Sequence, residues 1–324
     1  MVAHKRSLLQ RAFVTDDRRP NVFWRILCYI CSFFVLDVVA EILAELVVAL
    51  LRWPQTIVQP VSVLFTIPAI FGFTYFFRLC VDRRSWRGIA LTPLTRGPQL
   101  LLLGMLLGSI MPGLIFVIEY ALGWIQIAGT ELDSSGLVGS LSLVLLGLVF
   151  AIATGFIEEL AFRGYVFQNL GRNLPLWLAI LITGILFGLL HFTQPGFDVV
   201  LILQAVVVSA LWVFCRLGTG TLWLAIGWHA AWNWMEDSVI GFSSADTPAY
   251  GHALLHLKLL RPGWITLPEH GPVGFLIQLL GLVVLVLWVQ RGKRRWDMQS
   301  RLDDEGQMQV TKVQTNLGDL SSTK

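Results

Sequence analysis

Six side chains able to do chemistry stand inside otherwise apolar sequence. The stretch GFIEELAFRGYVF (155–167) sets Glu158 beside Glu159, with Arg163 four residues after the second acid, behind roughly twenty uncharged residues. GILFGLLHF (184–192) carries Phe187 and His191, and GTLWLAIGWHAAWNW (220–234) carries His229 and Asn233. Both pairs have a spacing of four, which puts each on one helical face. Burying a carboxylate in a membrane costs about 3 kcal/mol even on lenient scales, and two neighbours repel. Such a cost implies a use, and the set fits peptide hydrolysis. A carboxylate in an apolar pocket becomes a usable general base for a bound water. A neutral imidazole can co-orient that water, and an amide with a second imidazole can stabilise the oxyanion. Alternatively, Glu158, His191 and His229 could be the three protein ligands of a catalytic divalent metal such as zinc, with one position open to water. Spacing does not separate these two schemes. Arg163 can pair with Glu159 along the helix, leaving Glu158 as the freer acid.

These residues need apolar helices to position them, and the composition supplies those. Of 324 residues, 55% are hydrophobic and 14% charged, with a mean hydropathy of +0.68. Soluble domains carry about a quarter charged residues, so the chain reads as an all-α polytopic membrane protein. Its net charge of +3 lies in short basic clusters between apolar runs, and no nucleic-acid signature is present. Runs long enough to span predict eight helices, at 22–51, 57–79, 98–125, 138–170, 175–192, 198–215, 220–241 and 272–290. The organisation is a tail over 1–21, a membrane domain over 22–290 with its motif core at 150–240, and a flexible tail over 291–324. The first apolar run is too long for a signal-peptide core and reads as retained. Basic residues cluster before the first helix, between the second and third, and after the last. This places both termini in the cytosol of a membrane that we expect to be a bacterial plasma membrane. The segment DRRSWRGIALTPL reads as interfacial, with Trp86 at headgroup level.

Helix rise gives the depth of each group. At 1.5 Å per residue, Glu158 sits roughly 18 Å from the cytosolic end of its helix. His191 lies about 24 Å up, His229 about 14 Å and Asn233 about 20 Å. Groups from three helices therefore share one middle layer, which independent accidents would not produce.

Other polar features have plainer readings. Asp37, Glu41 and Glu45 form an acidic stripe on the first helix, lining an entrance or pairing with bases, outside the catalytic set. His252 and His256 read as solvated loop histidines, and GMLLG (104–108) as a helix-packing motif. Cys28 and Cys31 form a CxxC within a spanning helix, and Cys80 and Cys215 also sit in or beside apolar runs. All four read as packing residues, with no disulfide framework. A non-catalytic immunity or scaffold protein that binds a peptide is the alternative to a peptidase. A proton-coupled transporter ranks last, because internal repeats and broken helices are absent from the sequence.

EExxxR (Glu158, Glu159, Arg163), FxxxH (Phe187, His191) and HxxxN (His229, Asn233), in this order, resemble the CPBP family. These are the CAAX prenyl proteases and bacteriocin-processing proteins, also called Abi. FRG after the glutamates and WHAAWN sharpen the likeness, which covers about 150–240. GWITLPEHGPVG (263–274) is similar to a glycine-rich, GPE-containing loop of many bacterial members, whereas 1–137 is similar only in its hydrophobic helices. The resemblance implies an eight-helix intramembrane endopeptidase with a conical cavity open to the cytosol. Glu158 with His191 would activate water, and His229 with Asn233 would hold the oxyanion. The family carries both a metalloprotease description and a metal-free glutamate mechanism, so the metal stays open. Implied partners are membrane lipid and a membrane-associated peptide or protein. Eukaryotic members cut prenylated C-terminal tripeptides, and many bacterial ones are linked to bacteriocin maturation or immunity. The intact motifs argue against an inactive relative.

Overall fold

A computed structural model describes residues 19–91, 94–192, 197–242, 253–268 and 270–291. Apolar runs without a strand period become helices, as expected. Helix α1 spans Val22–Leu51, started by the Asn21 side chain accepting from Phe23 N and ended by left-handed Arg52. Helix α2 spans Val58–Phe76 and runs on into a π-helical turn, Phe77–Val81. Helix α3 covers Gly97–Ala121. Helix α4, Glu131–Glu159, opens with a capping box between Thr130 and Asp133 and bends at Gly136 (φ 64°). It continues through a second π-helical turn, Leu160–Val166, into α5, Phe167–Gly171. Then come α6, Leu176–Leu190, and α7, Val199–Thr219, which left-handed Gly220 terminates. Helix α8, Trp223–Asn233, extends as a π-helical turn over Trp234–Ile240. A short turn of helix, α9 (Gly263–Thr266), precedes α10, Pro272–Arg291.

The protein is thus all-α and integral to a membrane, and among the described residues five helical segments meet a length and composition criterion for crossing it, against the eight expected: 58–81, 86–121, 131–171, 199–219 and 272–291. Leu176–Leu190 is apolar but shorter. The three expected spans not among these five are α1, α6 and α8. Helix α1 carries Arg25, Asp37, Glu41 and Glu45, and α8 is an eleven-residue helix before its π-helical extension. Large apolar side chains such as Leu46, Leu102, Leu145 and Leu280 face outward, the arrangement a lipid solvent favours.

The segment between α8 and α10, expected as plain loop, contributes a strand. β1 (Ile125–Thr130) pairs antiparallel with β2 (Leu255–Leu259), Gln126 opposite Lys258, with a bulge between Ile127 and Gly129. His256 on β2 is 41% exposed yet lies 3.1 Å from Glu131 Oε2, so it is a paired strand residue and not a solvated loop one. His252, Glu269 of the GPE-like loop and both tails beyond 19 and 291 lie outside the described residues. Trp86 packs its ring on Phe71 and Tyr75, at 5.1 and 5.3 Å.

Helix α8 runs through the middle, against α3, α4 and α7. Glycines set its spacing. A Cβ on Gly104 would stand 2.3 Å from Leu224 O, one on Gly108 2.3 Å from Trp228 O, and one on Gly227 2.1 Å from Leu101 O. Backbones of α3 and α8 therefore touch directly, as small-residue motifs allow, and GMLLG is a packing motif in fact.

Candidate active site

Glu158 and Glu159 close the last turn of α4. One turn earlier, Gly155 lets this helix approach α8: a Cβ there would meet Ala230 N at 3.1 Å. Consecutive helical residues point about 100° apart, so the two acids part company. Glu159 turns inward and is 0% exposed, whereas the Glu158 side chain keeps 14%.

Glu159 Oε1 accepts from an Arg163 guanidinium N–H at 2.7 Å and lies 3.0 Å from His229 Nδ1. Arg163 is a permanent cation, so Glu159 beside it is a carboxylate that only accepts, and His229 Nδ1 carries the hydrogen. The other ring nitrogen, Nε2, faces Glu158 Oε2 at 3.6 Å. That is too long for a direct hydrogen bond, but one oxygen atom placed beside the pair can reach both. The chain Arg163–Glu159–His229–Glu158 is therefore one line of alternating charge and imidazole, spread over two helices.

Arg163 lies in the π-helical turn after α4. Its own carbonyl accepts from Arg216 of α7, whose second terminal nitrogen donates to Gly88 O at 2.9 Å. The guanidinium of Arg163 is fully buried and sits over the rings of Phe187 (4.4 Å) and Trp212 (4.8 Å). These cation–π contacts keep a buried charge in place where, among the described residues, one of its nitrogens is hydrogen-bonded.

His191 ends α6 and lies 3.0 Å through Nδ1 from Phe187 O, which can only accept, so Nε2 is the nitrogen without a hydrogen bond among the described residues. Phe187 lies edge-on to both imidazoles, 5.1 Å from His191 and 5.9 Å from His229 between centroids. Asn233 follows His229 by one turn on α8, half-buried, with no hydrogen bond among the described residues. Asp37 of α1 is near enough to Glu158 and Glu41 for their charges to interact, and Glu41 accepts from Gln59 at 3.3 Å. The acidic stripe thus begins at the site. Among the described residues no three His, Cys, Asp or Glu side chains converge enough to hold a metal ion. Glu158 and His229 face each other, but His191 does not complete a set with them. As placed, Glu158, His191 and His229 do not form a three-ligand set among the described residues.

Trp212 is the residue that no motif flagged. The one signal was its spacing of four from Arg216, a charge inside a span.

Fold and site together define a helical membrane protein with a buried acid–imidazole centre. Residues 140–235, which take in every motif residue above, match the type II CAAX prenyl endopeptidase, Rce1-like family. Over this segment the chain is similar to the CPBP family. It is also 35% identical over 81 residues to the uncharacterized protein YyaK of Bacillus subtilis (strain 168), an overlap of 24% of this chain and 27% of that protein. The chain spans about a quarter of the length of this relative. No solved structure matches.

Proposed function

We propose that the protein is an intramembrane endopeptidase that hydrolyses a peptide bond in a membrane-associated peptide or protein. The observation that carries this reading is the 3.6 Å approach of Glu158 Oε2 to His229 Nε2, with His229 held from behind by Glu159 at 3.0 Å. A water beside the pair gives a proton to Glu158 as its oxygen attacks the carbonyl carbon. Negative charge moves to the carbonyl oxygen, where the Asn233 amide donates to it, joined by His229 Nε2 once that nitrogen has taken a proton from bulk water, which it returns on product release. Glu158 then passes its proton to the amide nitrogen, the C–N bond breaks, and a carboxylic acid and an amine leave, the acid giving up its proton to bulk water. His191, with Nε2 unbonded, serves to orient the water. Arg163 and Phe187 support the set, the first by fixing Glu159. The protein would reside in a bacterial plasma membrane with both termini cytosolic.

The test uses purified protein in detergent with two internally quenched probes, a farnesylated CAAX peptide and a single-span apolar peptide. Cleavage of either, lost in Glu158→Ala at unchanged melting temperature, is the expected result. A protein that cuts neither probe, or a variant as active as the parent, overturns the reading. Chelator treatment is expected to leave the rate unchanged, and a loss restored by added zinc would transfer the water to a metal.

A further inference from the structure

We infer that Trp212 of α7 is a positioning residue for this site, one that fixes the plane of the His229 imidazole and with it the aim of Nε2. The inference rests on the endopeptidase reading for its catalytic consequence, but its geometric part stands alone.

Among the described residues the His229 side chain makes one hydrogen bond, from Nδ1 to Glu159. A single bond of this kind leaves the ring room to swing about its Cβ–Cγ bond. Such a swing would carry Nε2 away from Glu158 while only lengthening the Nδ1 bond. What removes that freedom is the Trp212 indole, stacked on the imidazole with centroids 4.0 Å apart and planes 15° from parallel. The same indole lies 4.8 Å from the Arg163 guanidinium carbon and meets Phe187 edge-on at 5.7 Å. Arg163 likewise has a single hydrogen-bonded nitrogen among the described residues, so its plane too is set by ring faces. One side chain thus touches a residue from each of the three motif segments. Trp212 is itself 2% exposed. Its indole N–H has no hydrogen-bond partner among the described residues. Buried Trp usually finds one, so this site keeps an indole at a cost in hydrogen bonding. A face-on indole also attracts a positively charged ring, which favours His229 staying in plane when it takes a proton and donates to the oxyanion.

The test compares Trp212→Phe, which keeps a ring face, with Trp212→Leu and Trp212→Met, which fill volume without one. In the probe assay, kcat for the Leu and Met variants is expected to fall about 10- to 100-fold, as for a small misplacement of a reacting group. KM should stay within about twofold, since substrate contacts are untouched, and Trp212→Phe should recover most of the rate. In parallel, NMR of histidine-labelled protein, with His229 assigned from its loss in His229→Gln, reads the stack directly. The ring current of the indole should displace the His229 ring signals upfield; the Leu and Met variants should lose that displacement and Phe retain part of it. If Leu or Met cuts as fast as Phe, if the loss falls on KM, or if the His229 signals do not move, the positioning role is overturned. Should the parent cut neither probe, the endopeptidase reading fails, and the NMR arm alone decides whether the indole holds the ring.

Discussion

Two buried carboxylate centres in this molecule look alike in composition and differ in completion. Asp82, fully buried at the end of α2, accepts from Arg25 at 2.7 Å, Tyr165 at 3.1 Å and Asn169 at 3.0 Å, with Arg78 at 3.9 Å. Its backbone carbonyl takes a further bond from Arg19 at 3.0 Å. The cluster ties α1, α2, the π-helical turn after α4, and α5 into one corner. Around Glu158 and Glu159 the accounting is left open. Each acid keeps one oxygen, Oε2, that is buried without a hydrogen-bond partner among the described residues. Buried polar groups are ordinarily satisfied, so an orphan oxygen is either a cost with no return or a place where something binds. Asp82 has nothing left to offer a ligand. The paired glutamates do.

The comparison is broken first at Glu158. Glu158→Ala is expected to lower kcat about 10²- to 10⁴-fold, the worth of a general base, while the melting temperature stays put because the carboxylate makes no direct hydrogen bond among the described residues. Asp82→Ala should do the reverse. It removes the carboxylate that faces Arg25 and Arg78 in a dry corner and should destabilise by about 3–5 kcal/mol, with kcat per folded molecule retained. Thermal unfolding and active-site titration of both variants separate the two effects. If both variants unfold alike, the contrast between a completed and an open centre is wrong.

Sequence showed the open centre and hid the completed one, for a physical reason. Glu158, Arg163, His229 and Asn233 announce themselves because their spacings are local, four residues on a helix, and their surroundings apolar. Asp82 sits among arginines in DRRSWRG, which reads as surface, and its partners lie 57, 83 and 87 residues away. Pairings of that kind come from the tertiary fold. Trp212 was hidden similarly, since an indole in an apolar span looks like packing until an imidazole is found on its face. Helix boundaries were legible to within a few residues where runs end in Asn21, Pro175 or Gly220. The two short strands were not, because IQIAGT and LHLKL are too brief for their alternation to stand out. The π-helical turn around Arg163 has no sequence mark at all. It depends on Arg216 of another helix taking up the carbonyl of Arg163.

Asn233 gives the next largest expected effect. Loss of one oxyanion donor costs about 10²- to 10³-fold in kcat, so Asn233→Ala should show that drop in steady-state kinetics with little change in KM. Its stability should hardly move, because the amide bonds to no described residue. A loss confined to KM would make Asn233 a ground-state contact and take it out of the oxyanion role.

The smallest effect tests how the open centre is held in shape. His229 follows Gly227 by two residues, and a Cβ on Gly227 would stand 2.1 Å from Leu101 O and 3.0 Å from Met105 N. Those are backbone atoms of α3, which cannot swing aside as a side-chain tip can. Gly227→Ala must therefore push α8 off α3, at about 1–3 kcal/mol for overpacking, and shift His229 relative to Glu158. Gly113→Ala on the same α3 meets nothing within 4 Å and should be neutral or stabilising by up to about 1 kcal/mol through helix propensity. Measured by melting temperature and kcat together, the pair separates the contact from the residue type. If Gly227→Ala behaves like Gly113→Ala, α3 does not set the height of His229, and the glycine seam is packing without consequence for the site.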